Sequence, residues 1–118
     1  MKKLHLVLKG KWFDMIDSGV KTEEYREIKQ YWLKRLVGSW LWVGKDNGKL
    51  KHIEANFVND WNIKDFMTFD VVEFKHGYSK DARVMKFEMK SISIGTGNPD
   101  WGAEPGKEYF VIKLGKRL

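Results

Sequence analysis

Gly19-Val20-Lys21-Thr22-Glu23-Glu24-Tyr25-Arg26 is the stretch on which the fold turns, because it lies where one kind of periodicity gives way to another. Directly before it, Leu4, Leu6 and Leu8 alternate with His5, Val7 and Lys9, the period-2 pattern of a strand with one buried face. Gly10 breaks that pattern, and Trp12, Phe13, Met15 and Ile16 then recur at helical spacing, which predicts a helix over Lys11–Ser18. Gly19 supplies the left-handed residue that ends such a helix at little steric cost. If Thr22–Glu27 is extended, Glu24 and Arg26 share one face, Glu23, Tyr25 and Glu27 share the other, and Lys21 sits at the mouth of the strand.

Downstream, Tyr31, Trp32, Leu33, Leu36 and Val37 predict a second helix over Lys29–Val37, with Lys29, Lys34 and Arg35 on its basic side. Ser39–Val43, the Asp46-Asn47-Gly48 turn and the alternating Ile53, Ala55 and Phe57 read as a hairpin. Trp61–Phe69 fits neither period and is read as a loop with a helical turn. Val71–Lys75 is a strand, and His76-Gly77-Tyr78-Ser79 a turn. Val84–Ile94 is a long strand whose apolar face runs Met85, Phe87, Met89 and then shifts to Ile92 and Ile94, the mark of a bulge. Gly95–Gly106 is glycine- and proline-rich and reads as an irregular loop, after which Tyr109–Leu114 closes the sheet. The result is an α+β chain with about six strands and two early helices, suited to a small closed barrel rather than a doubly wound sheet. Its expected core includes Leu4, Leu6, Leu8, Ile16, Leu36, Val71, Phe87, Met89 and Val111.

A length of 118 residues, 42% of them hydrophobic, sets the scale of a single packed domain, 1–118. Without cysteine there is no disulfide, no thiolate nucleophile and no zinc knuckle, and the scattered His5, His52 and His76 suggest no metal site and no cofactor. Lys9 and Lys11 interrupt the first apolar run after about five residues, too few for a signal peptide, and no run nears the roughly 20 residues of a membrane span. A cytoplasmic protein is expected. The net charge of +6 favours polyanions, nucleic acid above all, although a basic excess also serves solubility.

The pattern Gly19-x-Lys21-x-x-Glu24-x-Arg26, placed after a strand and a short helix, resembles the signature of the ASCH domain, a branch of the PUA-like superfamily. The resemblance extends to the Tyr31-Trp32 helix, the Gly77-Tyr78-Ser79-Lys80 turn and the Asn98-Pro99-Asp100-Trp101-Gly102 segment, and leaves residues 38–66 as an insertion relative to compact members. It implies a PUA-like small mixed β-barrel flanked by short helices, with a cleft for RNA or a nucleoside or nucleotide bordered by the motif. In such a cleft Arg26 keeps Glu24 ionised and oriented, while Lys21 holds a phosphate or acts as a base when desolvation lowers its pKa. One branch of ASCH-like proteins hydrolyses N4-acylated cytidines with the motif lysine and a threonine where this chain has Glu24. The change leaves a carboxylate able to activate water but no threonine nucleophile, so an amidohydrolase or ribonuclease acting through Lys21 and Glu24 stands as the alternative to a binding module.

Taken without that resemblance, Lys21, Glu24 and Arg26 also read as an ordinary ion-paired surface strand. Trp101, on its glycine-rich loop, is either a stacking platform for a base or a plug under the barrel rim, and Tyr25 and Tyr78 join it as candidate ligand contacts. Trp12, Tyr31 and Trp32 are expected in the core, and Lys9, Lys11, Lys29, Lys34 and Arg35 as a possible phosphate track. A protein-interaction domain built on the inserted hairpin is a third class.

Overall fold

The curl of one mixed sheet around an apolar interior organises the computed structural model, which describes residues 2–36, 66 and 68–118. The elements are β1 (Lys3–Leu8), α1 (Gly10–Asp17), β2 (Glu23–Glu27), α2 (Gln30–Leu36), β3 (Val71–His76), β4 (Val84–Thr96) and β5 (Glu108–Arg117). The five strands stand in the order β1-β3-β4-β5-β2, forming a strongly curled half-barrel. β1 and β3 are parallel and the other pairs antiparallel, so among the described residues β1 and β2 are the two edges. The hairpin read at Ser39–Val43 and Ile53–Phe57, and the insertion at 38–66 apart from Phe66, lie outside the described residues.

The pleat explains the core. Leu4, Leu6 and Leu8 are buried at every second position of β1, and the register sets Leu4 beside Val72 and Leu6 beside Phe74. Val72 and Phe74 in turn face Phe87 and Met85, while Phe110 and Ile112 continue the same apolar face on β5. Phe13 and Ile16 of α1 and Leu33 and Leu36 of α2 cover this face, and Phe66 sets its ring edge-on to Phe110 at 6.1 Å. Of the nine residues from Leu4 to Val111 named for the core, only Met89 is no more than partly buried, and it still packs against the cluster. Its position has a cause: the β4–β5 register shifts on both sides of Met89, the bulge that the slip from Phe87 to Ile92 predicts.

The segment Gly95–Gly106 differs from its sequence reading. β4 continues through Thr96, and Pro99–Trp101 form a short 3-10 turn whose start is capped by Asn98, its side-chain oxygen accepting from the Asp100 amide at 3.0 Å. Proline at the first turn and the Asn cap give the segment local order that its glycine content hides. It lies over the outer face of β2 and β5, where Tyr25, Tyr109, Val111 and Ala103 form a second small cluster joined by Trp101. Among the described residues no helix is long and apolar enough to cross a membrane.

Candidate functional site

The motif is placed by the end of α1. Gly19 has φ 83°, and its amide donates to the Ile16 carbonyl at 3.1 Å while the Lys21 amide donates to that of Met15 at 3.0 Å. The turn therefore folds the chain back beneath α1 and points Lys21 inward rather than to solvent. Its side chain is fully buried, and Nζ donates to Glu24 Oε1 at 2.6 Å, with the rings of Tyr25 and Trp12 at 5.4 and 5.7 Å. Burial pushes the Lys21 pKa down, against the opposing pull of the Glu24 carboxylate. Between that lowered value and 10.5 the folded state holds fewer protons than the unfolded chain, so this group adds stability as pH rises through the window.

Glu24 is the hub. Oε1 also accepts from the Tyr25 amide at 3.1 Å, and Oε2 accepts from Arg26 Nη2 at 3.0 Å. Alternation along β2 places Glu24 and Arg26 on the inner face with Ile112 and Phe110, as the sequence predicts. Arg26 then reaches across the open seam of the half-barrel, Nη2 donating to the Val7 carbonyl of β1 at 3.3 Å. Its Nε is buried without a hydrogen-bond partner among the described residues, and its guanidinium lies 5.1 Å from the Trp32 ring centre. A buried donor left without an acceptor is costly, which makes this edge of Arg26 a place for an incoming oxygen.

Above Glu24 and Arg26 a cavity of about 620 Å³ opens along the seam, walled by Trp12, Trp32, Trp101, Tyr78 and Tyr109 with Lys9 and Lys29 among its lining residues. Glu24, Arg26, Tyr25, Tyr78 and Trp101 thus come together on one wall system. Lys21 does not line it; it stands behind Glu24 as a buried counter-charge. Tyr78 is 89% exposed at the rim on the β3–β4 turn. Trp101 is half-buried, packed against the Tyr25 cluster and lining the cavity. Gly102, at φ 99°, sits so close to Trp12 that a Cβ there would meet its ring at 2.9 Å, which fixes these two walls against each other.

Trp12 and Trp32 correct the expectation of core positions: both are only half-buried and line the cavity, while Tyr31 is 55% exposed. In each helix the fully buried pair is spaced i, i+3, Phe13 and Ile16 in α1 and Leu33 and Leu36 in α2. The tryptophan one residue before each pair is i, i+4 to its second member, so it stands at the edge of the buried face, where spacing alone does not separate core from cavity wall. Among the described residues no three His, Asp or Glu side chains gather to hold a metal ion. The chain matches no protein-family model, no curated protein and no solved structure.

Tyr25 anchors the wall. Its hydroxyl donates to Glu23 Oε1 at 2.8 Å and accepts from the Asn98 amide at 2.9 Å, while Tyr109 accepts from the Glu104 amide at 2.9 Å. Burial, reinforced by Glu23, pushes the Tyr25 pKa from 10.0 up to about 12. Below pH 10.0 this has no effect on stability; between 10.0 and about 12 the folded form keeps a proton that the unfolded chain has lost, so stability falls as pH climbs. Alkaline ultraviolet titration of the folded protein should show a tyrosine step near pH 12 that Tyr25→Phe abolishes. A titration curve at that pH which Tyr25→Phe leaves unchanged would contradict this placement.

Proposed function

We propose that the chain is an RNA- or nucleotide-binding domain of the ASCH type, its half-barrel related to the closed PUA-like barrel, and that a nucleobase enters the seam cavity. One arrangement carries the reading: tryptophans from α1, α2 and the 3-10 turn surround a floor made of the Glu24–Arg26 pair, with lysines among the lining residues. The volume of about 620 Å³ falls within the roughly 300–1,000 Å³ of small-ligand sites. Aromatic faces stack any base, the carboxylate accepts from exocyclic amino groups, and the free edge of Arg26 donates to a base carbonyl or a phosphate. Lys21 holds Glu24 in place from behind.

Quenching of tryptophan fluorescence by short single-stranded RNA tests this. Quenching should be saturable at low salt, and affinity should fall as salt rises, with log K changing by about −0.7 per log unit of salt for each phosphate neutralised. Salt-independent binding would instead indicate a small uncharged nucleoside, and no binding at low salt would contradict the proposal.

A second reading, a hydrolase of N4-acylated nucleosides or of RNA, is favoured by the short contact between Glu24 and a lysine of lowered pKa. There Glu24 takes a proton from water as the water oxygen adds to the acyl carbon, and returns it to the N4 amine as the C–N bond breaks, with Lys21 bracing Glu24 from behind. Incubation with N4-acetylcytidine separates the two readings: intact recovery supports binding alone, and acetate release supports catalysis. Glu24→Thr asks further whether the residue of the amidohydrolase branch restores that activity.

A further inference from the structure

Resting on the nucleotide-binding reading, we infer that α2 carries a second nucleotide position next to the cavity, with Tyr31 stacking a base and Arg35 taking the phosphate between the two. The bound species is then a single-stranded RNA of at least two nucleotides rather than a free nucleoside.

The four arginines of the chain divide unequally. Arg26, Arg83 and Arg117 pair with Glu24, Asp14 and Asp17, whereas Arg35 alone has no carboxylate partner among the described residues. Its guanidinium lies 5.5 Å from the Tyr31 ring centre and 5.3 Å from that of Trp32, with Nη1 donating to the Tyr31 hydroxyl at 2.8 Å. Nη2 stands 3.5 Å from the His5 carbonyl, so the guanidinium is held in place by rings, hydroxyl and backbone, and with no carboxylate beside it among the described residues its charge is directed to an incoming phosphate. Beside it, Tyr31 leaves 55% of its surface in solvent, an unusual placement for an aromatic on a helix whose next residue helps wall a cavity.

The two positions are continuous. Trp32 borders the cavity and carries the Arg26 guanidinium at 5.1 Å, and the Tyr31 ring stands edge-on to Trp32 at 4.8 Å. Stacked nucleotides rise about 3.4 Å each, so this spacing lies within one or two steps of a strand leaving the cavity. The sequence of contacts from Arg26 through Trp32 and Arg35 to Tyr31 thus alternates charge with ring. A nucleic-acid strand does the same with phosphates and bases.

Calorimetric titration of the full chain with the four nucleoside monophosphates and with mixed-sequence RNA hexamers tests the inference in wild type, Tyr31→Ala, Tyr31→Phe and Arg35→Gln. Expected is a hexamer affinity at least tenfold above that of the best monophosphate, reduced roughly five- to tenfold by Tyr31→Ala and by Arg35→Gln but little by Tyr31→Phe. Monophosphate affinity should be unchanged by either Tyr31 variant and fall no more than a few-fold in Arg35→Gln, less than the hexamer does. If both variants bind hexamers like wild type while monophosphates still bind, the α2 face serves another partner and the inference is overturned, leaving the cavity reading intact. If wild type binds neither probe, the cavity reading fails and this inference with it.

Discussion

Glu24→Gln should destabilise the protein by roughly 3–5 kcal/mol, because removing one partner of a buried pair strands the other charge. Glu24 is the common acceptor for Lys21, Arg26 and the Tyr25 amide, so its neutralisation leaves the fully buried Lys21 ammonium facing only an amide and two ring faces. Lys21→Met should be much milder, at no more than about 2 kcal/mol, since the carboxylate keeps Arg26 and a backbone donor. The double variant should therefore recover part of the Glu24→Gln loss, a positive coupling between contacting residues. Denaturant midpoints of the four proteins measure this directly. Equal losses for the two single variants would show that Glu24 is not the hub. The sequence also allows Lys21, Glu24 and Arg26 as an ion-paired surface strand; the burial of Lys21 and Glu24 places that pair inside instead.

Trp32→Ala should weaken RNA binding by roughly ten- to a hundredfold, as removal of an aromatic stacking partner costs about 1–3 kcal/mol per base. Trp32 is well suited to such a loss because it supports two groups at once, forming the cavity wall and covering the Arg26 guanidinium. Without the ring, Arg26 is free to turn toward solvent and its edge loses orientation. Trp32→Phe keeps a face for both and should restore most of the affinity. Thermal unfolding provides the control: Leu33 and Leu36, not Trp32, are the fully buried residues of α2, so Trp32→Ala should melt only slightly below wild type. Unchanged RNA affinity in Trp32→Ala would remove the cavity from the binding account.

Period alone disclosed the elements that position the site. The alternation of Leu4, Leu6 and Leu8 located β1, the phase slip after Phe87 located the bulge, and Gly19 located the turn that delivers Lys21. The Glu24 and Arg26 pairing followed from their two-residue separation on a strand. Depth was less legible. Nothing local in Gly19–Arg26 tells that Lys21 turns inward, because its burial depends on α1 lying over it and on Trp12 and Tyr25 closing around its Nζ. The seam was hidden for a similar reason: Arg26 and the Val7 carbonyl are nineteen residues apart and meet only because the sheet curls. Trp12 and Trp32 are i, i+4 to the buried Ile16 and Leu36, so helical spacing groups them with the core, and only the position of the seam shows that they stand at its edge.

The most direct test of nucleotide recognition in the seam is a nitrogen–proton correlation spectrum of the folded chain titrated with single-stranded RNA at low salt, following the indole and arginine Nε signals. Shifts of the Trp12, Trp32 and Trp101 indoles and of Arg26 Nε should saturate together with one affinity, since these groups surround one cavity. Saturable binding that leaves those signals unmoved, or no binding at all, would contradict the account.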